Sequence, residues 1–415
     1  MRKVGGCRSC QMGFHRFLHN PKVSVEEVKQ SAFVRTSAQA QGKDLLLIQD
    51  TTTIRSDGDS KSLCLHAGLV VDETSGHALG LGHVSFYNRR ARDAGGTKQA
   101  RNQRAHADKA SARWSEGIIA AQALCEAGAH NVTVIADREG DIYEDLVRCQ
   151  HQLGHGVDLL IRAAQNRRLF GSSLKLMEKA KSLELGEDLT FELPSAPGRK
   201  ARKATVSIGF CSIEILRPGN RKPQQSAALP EKAVVWMVVA RELNPPAGVG
   251  EGANWVLLST RPVNTDAQAR RCIHLYRRRW LIEQLFRTLK KQGFDIEGQT
   301  MPSEEPFRKL ATIATIAAVT VMQLVLARDG SSGERLEQAF DESDIPVLEQ
   351  VNKQMEGATV KQQNPHPKGT LARAAWIIAR LGGWDPYYGK PGPIVMYDGL
   401  KRFNAIRYGY AIRNV

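Results

Sequence analysis

The sequence predicts an α/β protein whose frame is interrupted by a β-rich insertion and flanked by helical segments. Three observations carry this. Short apolar runs alternate with amphipathic stretches as far as His151. Six strand-like runs then follow one another between Asp158 and Thr260. From Thr265 to Ala327 the pattern turns helical again.

Gly13 to His19 reads as a short helix, and Ser24 with Glu27 gives a cap signature ahead of a second one. Asp44 to Asp50 (DLLLIQD) is an apolar run closed by an acid, the pattern of a buried strand. Ser62 to Val71 and His77 to Phe86 are two further strands, joined by a turn-like connection through Asp72 and Gly76. The polar stretch from Asn88 to Lys109 carries Arg89, Arg90, Arg92, Lys98, Arg101 and Arg104. It reads as a loop, either ordered by an anion or simply solvated. Ala112 to Ala127 is an amphipathic helix, Asn131 to Ala136 a strand ending at Asp137, and Asp141 to His151 a helix. The strand-like runs of the insertion are DLLIRAA, DLTFELP, KATVSIGF, SIEILRP, AVVWMVVA and NWVLLST, separated by basic, Pro-rich turns. Leu310 to Ala327 is uncharged for eighteen residues, the minimum for a membrane span. Thr312, Thr315, Thr320 and Gln323 dilute it, so a buried core helix is expected. Leu371 to Leu381 is a last amphipathic helix, and the tail after Gly382 is rich in Pro, Gly and Tyr.

Charge narrows the function classes. A formal net charge of +15 and a pI near 9.6 point to a polyanionic partner, although ribosomal and membrane-surface proteins share the signature. The seven cysteines are odd in number and show no disulfide spacing, which suits a reducing cytosol. Cys7 and Cys10 form a lone CxxC without the second pair that a zinc site needs. Met1 to Phe14 lacks the apolar run of a signal peptide.

The most informative stretch is Thr265 to Gly293, which reads as one long helix with a capping box at Thr265 and Gln268 and a C-cap glycine. At about 100° per residue, Tyr276, Arg279, Glu283, Arg287 and Lys290 share one narrow face. Leu275, Ile282, Leu285, Phe286 and Leu289 form a core-facing stripe. A lone carboxylate among fixed cations suits a site that holds a metal and phosphates together. Asp50 and Asp137, each closing an apolar strand, are expected at one edge of a sheet, where ligands collect in α/β folds. Three carboxylates from separate elements suit one or two hard cations, and in-line phosphoryl displacement is the chemistry that such ions serve. Plainer readings exist for each. An Asp after a strand is often a cap or turn former, and Glu283 can be an i,i+4 partner of Arg279 or Arg287.

Taken in order, Asp50-Thr51-Thr52, Asp137-Arg138-Glu139, a β-strand insertion and Tyr276-x2-Arg279-x3-Glu283-x6-Lys290 resemble the IS-four family of bacterial DDE transposases, which includes the transposon-five transposase. The last pattern is that family's YREK signature with its full spacing. The resemblance covers about residues 12–325 closely and the C-terminal part loosely. It implies an α/β fold with an RNase H-like core, a mixed sheet with helices, at 43–157 and 263–327, interrupted by a β-strand-rich insertion domain at 158–262. A partial helical N-terminal DNA-binding region at 1–42 and a C-terminal helical region at 328–415 complete it. It implies Asp50, Asp137 and Glu283 as the catalytic triad that binds Mg²⁺, for which Mn²⁺ can substitute. Tyr276, Arg279 and Lys290 map to residues that grip phosphates of the transposon end, and Arg287 falls where the family often has a second Lys. Trp255 matches a Trp that stacks a flipped base and helps form a DNA hairpin; on spacing alone it reads as a sheet-core aromatic. Arg162 matches an Arg that approaches the hairpin, but Ala163 and Ala164 stand where a Lys follows it.

The activity so implied is metal-dependent cleavage of transposon ends and strand transfer into target DNA, by cut and paste through a hairpin. The implied partners are transposon-end and target DNA and a second copy in a synaptic homodimer, with no membrane. The implied setting is the bacterial cytoplasm, at the nucleoid. Two other readings are a truncated DNA-binding remnant that inhibits full-length protein, and a structure-selective RNase H-like nuclease. Family members carry an N-terminal helical domain. Here forty-nine residues precede Asp50, and Phe14 to Val23 resembles only the end of that domain, so a truncated copy or an internal start is expected.

Overall fold

The structure, a computed structural model, describes residues 8–56, 61–90, 110–151, 156–193, 201–219, 228–246, 252–301, 303–331 and 333–413. Cys7 and residues 91–109 of the basic stretch lie outside the described residues. The strands are β1 (Asp44–Ser56), β2 (Lys61–Asp72), β3 (Ala78–Arg90), β4 (Asn131–Ala136), β5 (Val157–Arg162), β6 (Asp188–Leu193), β7 (Arg202–Leu216), β8 (Lys232–Arg241) and β9 (Asn254–Ser259). The helices are α1 (Arg8–His19), α2 (Val25–Ser37), α3 (Trp114–Glu126), α4 (Tyr143–His151), α5 (Leu176–Ser182), α6 (Asp266–Arg277), α7 (Trp280–Lys290), α8 (Glu304–Ala327), α9 (Ile345–Met355), α10 (Leu371–Leu381) and α11 (Pro393–Arg413). The chain divides into two compact units: Gly42–Asp50 with Ala91–Trp280, and Met1–Gln41 with Thr51–Arg90 and Leu281–Val415.

In the first unit the strand order is β1-β4-β5-β9-β8-β7-β6. β1, β4 and β5 are parallel, and the remaining pairs are antiparallel. Leu45 to Ile48 and Val132 to Ala136 are buried almost throughout, as expected of parallel strands covered on both faces. The strands after β5 extend the same sheet through the β5–β9 pair. β7 is one strand of 15 residues where two had been expected. Cys211 does not interrupt it, because β7 stays in register with β8 from Ser207 to Leu216.

On α4, Asp145 is buried and accepts a hydrogen bond from Ser115 Oγ at 2.6 Å. Burial pushes its carboxyl up to about 6. A carboxyl raised in the fold favours the folded state when protonated. Its contribution is therefore full below the unfolded value and is lost as pH rises through about 6. Asp145→Asn keeps an acceptor for Ser115 and removes the charge. It should stabilise the protein by roughly 2–3 kcal/mol at pH 8 and by little at pH 4. Thermal melts over that range check this; an equal difference between variant and parent at both ends would refute it.

In the second unit the order is β3-β2-β1. β1 does not end at Asp50. Thr51, Thr52, Thr53 and Ile54 are β-branched and carry the strand on to Ser56. Thr51 Oγ1 lies 2.9 Å from Nδ1 of the buried His66 on β2. α2 begins in the expected capping box, with Ser24 and Glu27 bonding each other's backbone N–H. α8 is long and apolar enough to cross a membrane, yet 61% of its most apolar window is buried inside the fold. Three of the residues that dilute its apolar run are hydrogen-bonded there. Thr312 and Thr315 bond the carbonyls of Arg308 and Ala311, and Gln323 donates to Ala78 and Leu79 on β3.

The tail after Gly382 forms α11, which its composition concealed. Pro393 is tolerated in the first turn. Gly399 is needed because α11 runs against α10: a Cβ there would fall on the carbonyl oxygen of Ile378, and one on Gly382 on that of Val395. Trp376, Ile378, Met396 and Phe403 fill the core around this crossing.

The single helix expected from Thr265 to Gly293 is two helices. Thr265 caps the first as read. The chain then turns at Arg278 and Arg279, whose N–H groups bond the carbonyls of Leu275 and Tyr276 three residues back. No Gly or Pro marks the break. Arg277 and Arg279 turn to different partners instead, Phe191 and Asp50. Of the five residues set on one face, Tyr276 therefore belongs to α6, Arg279 to the turn, and Glu283, Arg287 and Lys290 to α7. The apolar stripe survives: Leu275, Ile282, Leu285, Phe286 and Leu289 are all buried.

Candidate active site at the carboxyl edge of the parallel strands

β1 and β4 pair from Asp44↔Asn131 to Ile48↔Ile135. Continued for two residues, this register leads to Asp50, still in β1, and to Asp137, the first residue past β4. β4 and β5 pair up to Ala136↔Ile161, so the next position sets Arg162 level with Asp137. The edge of three parallel strands thus presents acid, acid and cation in a row. Asp137 also caps the short turn that follows, accepting the Glu139 N–H at 2.8 Å.

The turn between α6 and α7 supplies a second cation. Arg279 Nη1 lies 3.0 Å from Asp50 Oδ2, with both side chains about four-fifths shielded (22% and 19% exposed). Arg279 also bonds the hydroxyl of Tyr276, and burial holds that phenol above its ordinary pKa. Tyr276 itself is only 5% exposed. Its ring meets Trp255 edge-on at 5.7 Å, and Trp255 stacks on Phe191 at 5.4 Å. The Arg277 guanidinium lies 4.4 Å over Phe191 and donates to the Glu192 carbonyl. Arg162 donates to the Asn254 carbonyl at 3.0 Å. Its pKa is lowered, first by burial, while Tyr276 and Asp137 oppose that shift. Of the residues expected at the site, Asp50, Asp137, Arg162, Trp255, Tyr276 and Arg279 all belong to the first unit.

Asp141 underpins this edge and was not singled out from sequence. Its carboxylate is fully buried. It accepts the N–H groups of Ala164 and Gln165, just past β5, and two donors of the Arg167 guanidinium. The loop after β4 and the loop after β5 are thereby tied to one carboxylate. Phe191 and Arg277 were missed as well. The signal for Arg277 lay in the Arg run of α6, but its partner is on β6, 86 positions earlier in sequence.

Glu283, Arg287 and Lys290 stand on α7 in the second unit. Glu283 is half-buried and Arg287 exposed. Lys290 Nζ is paired with Glu297 at 2.8 Å.

A family model described as the transposase DDE domain matches residues 41–320. The chain belongs to this family. The match spans β1, β4 and α7, the elements that carry the three acids, and ends within α8. Membership makes this a DNA transposase domain acting on DNA, and DDE transposases generally use a divalent metal.

Among the described residues, no three His, Cys, Asp or Glu side chains form a cluster that could hold a metal. The donor set of this DDE domain nonetheless fits a hard cation. The register brings one carboxylate at the end of the β1–β4 pairing and one just past β4, and oxygen donors of that kind suit hard divalent cations. Like charges so placed repel unless a cation intervenes, and the guanidinium of Arg279 takes that part for Asp50.

Proposed function

We propose that this chain is a Mg²⁺-dependent transposase of the IS-four family, similar to the transposon-five transposase, with Mn²⁺ able to replace Mg²⁺. It cleaves transposon ends and joins them to target DNA by in-line displacement, as a cut-and-paste reaction through a hairpin. The observation that carries this reading is the β1–β4–β5 register, which leads to Asp50 on β1, Asp137 just past the end of β4 and Arg162 at the end of β5. The YREK spacing assigns the third carboxylate to Glu283, four residues beyond Arg279 in sequence. The core, at 43–157 and 263–327, is RNase H-like, with residues 158–262 as its β-rich insertion, residues 1–42 as a partial DNA-binding region and 328–415 as a helical C-terminal region.

Asp50, Asp137 and Glu283 would hold the metal, which when bound supplies Lewis acidity to the attacking and leaving oxygens. The protein's own groups position the DNA. Arg162 and Arg279 hold phosphates beside the acids, and Arg287 and Lys290 on α7 bind DNA as the resemblance implies. Trp255, backed by Phe191 and edged by Tyr276, presents an aromatic surface to a base. The protein works as a homodimer on paired ends, in the bacterial cytoplasm at the nucleoid.

The test is a joining assay on oligonucleotides that carry the element's own ends, with Mg²⁺ or Mn²⁺. Cleaved 3′ ends should appear joined to target DNA, and DNA affinity should fall steeply as salt rises. Cleavage of branched DNA without joining would reject the transposase reading in favour of a structure-selective nuclease.

A further inference from the structure

We infer that Arg279 makes metal binding at Asp50 conditional on DNA. This rests on the reading of Asp50 as a metal ligand. The Arg279 guanidinium lies 3.0 Å from Asp50 Oδ2, and both groups are about four-fifths shielded. A pair so placed holds more firmly than one on an open surface. A divalent ion at Asp50 must therefore displace a cation already in contact with its ligand oxygen.

Three features let Arg279 leave when DNA arrives. It sits in the turn between α6 and α7, outside both helices, so its side chain can swing with no helical hydrogen bond broken. Tyr276, held by Trp255, anchors the near end of that movement through its hydroxyl. A phosphate offers the guanidinium two oxygens in the fork geometry that a carboxylate offers, so a backbone phosphate replaces Asp50 as partner. Arg162, a second cation at this edge, is bonded to the Asn254 carbonyl and does not serve the same exchange. The order of events is then fixed: DNA engages first, Arg279 transfers to phosphate, and Asp50 becomes available to the metal.

The coupling is thermodynamic and must be reciprocal: DNA raises metal affinity by the factor by which metal raises DNA affinity. The experiment measures Mn²⁺ binding to the whole chain by electron paramagnetic resonance. It is done with and without a saturating random-sequence duplex. The parent, Arg279→Gln, Arg279→Lys and Asp50→Asn are compared, each checked for fold by circular dichroism. In the parent, DNA should tighten Mn²⁺ binding roughly fivefold to a hundredfold, the range of ordinary site-to-site coupling. In Arg279→Gln the DNA-free protein should bind Mn²⁺ more tightly than the parent, and DNA should add little. Arg279→Lys, which keeps the charge without the fork, should fall between the two. Unchanged or weaker DNA-free binding in Arg279→Gln, with binding abolished in Asp50→Asn, overturns the gating role alone. Binding that survives Asp50→Asn overturns the metal assignment and the gating role together.

Discussion

Asp137→Asn should cut DNA cleavage by about a thousandfold or more, the scale on which phosphoryl-transfer sites lose rate when a principal charge-stabilising element is removed. DNA affinity should change little, because Asp137 is an acid among the cations proposed to hold phosphate. The amide is the informative replacement. Asp137 caps the Arg138–Gly140 turn through Oδ1, and Asn retains that acceptor, so the turn stays and only the charge goes. Asp137→Ala would also remove the cap, at a cost of about 1 kcal/mol, and would confuse the two effects. Without metal, Asp137→Asn should melt no lower than the parent, since one of two neighbouring like charges has been removed. Cleavage within tenfold of the parent in a folded Asp137→Asn protein would dismiss Asp137 as a metal ligand.

Gly399→Ala should destabilise the C-terminal helices by about 2–3 kcal/mol, the usual cost of forcing a methyl group into a closed space. Two effects oppose each other here. Ala is the better helix former by up to about 1 kcal/mol, but its Cβ would meet the Ile378 carbonyl oxygen of α10. A backbone atom cannot swing aside as a side-chain tip can, so the clash wins. Gly409, on the same helix, has nothing within 4 Å of its would-be Cβ. Gly409→Ala should therefore be neutral or stabilising. The pair is read by thermal melting. If both substitutions raised the melting temperature, the close approach of α11 to α10 would be wrong.

The strand-end placing of Asp50 and Asp137 was legible in the amino-acid order because strand pairing converts spacing into position. Each acid follows a short apolar run, and parallel pairing then sets Asp50 beside Asp137 with no further information. The turn at Arg278 and Arg279 could not be read in this way. Helix periodicity carries no sign of a break without Gly or Pro, and this one depends on partners distant in sequence: Phe191 for Arg277 and Asp50 for Arg279. The same limit hid Asp141, whose buried carboxylate is explained only by Ala164, Gln165 and Arg167 closing on it. The continuation of β1 past Asp50 was masked by the acid itself, which looks like a strand end although the Thr run beyond it is good strand sequence. α11 was obscured by its Pro and Gly content, of which Gly399 is required by its packing.

The two aspartates lie at equal distances from a common starting line: Asp44 pairs with Asn131, and each acid comes six residues later. β1 and β4 are thus matched rulers, and their lengths tolerate no indels. Deleting one residue from β4 would turn its acid to the opposite face of the sheet. Deleting two would restore the face but draw the acid back by about 6.6 Å, out of step with Asp50. The loops that join the strands carry no such requirement. Random insertions and deletions that spare activity should therefore gather between the strands and be missing from residues 44–50 and 131–137.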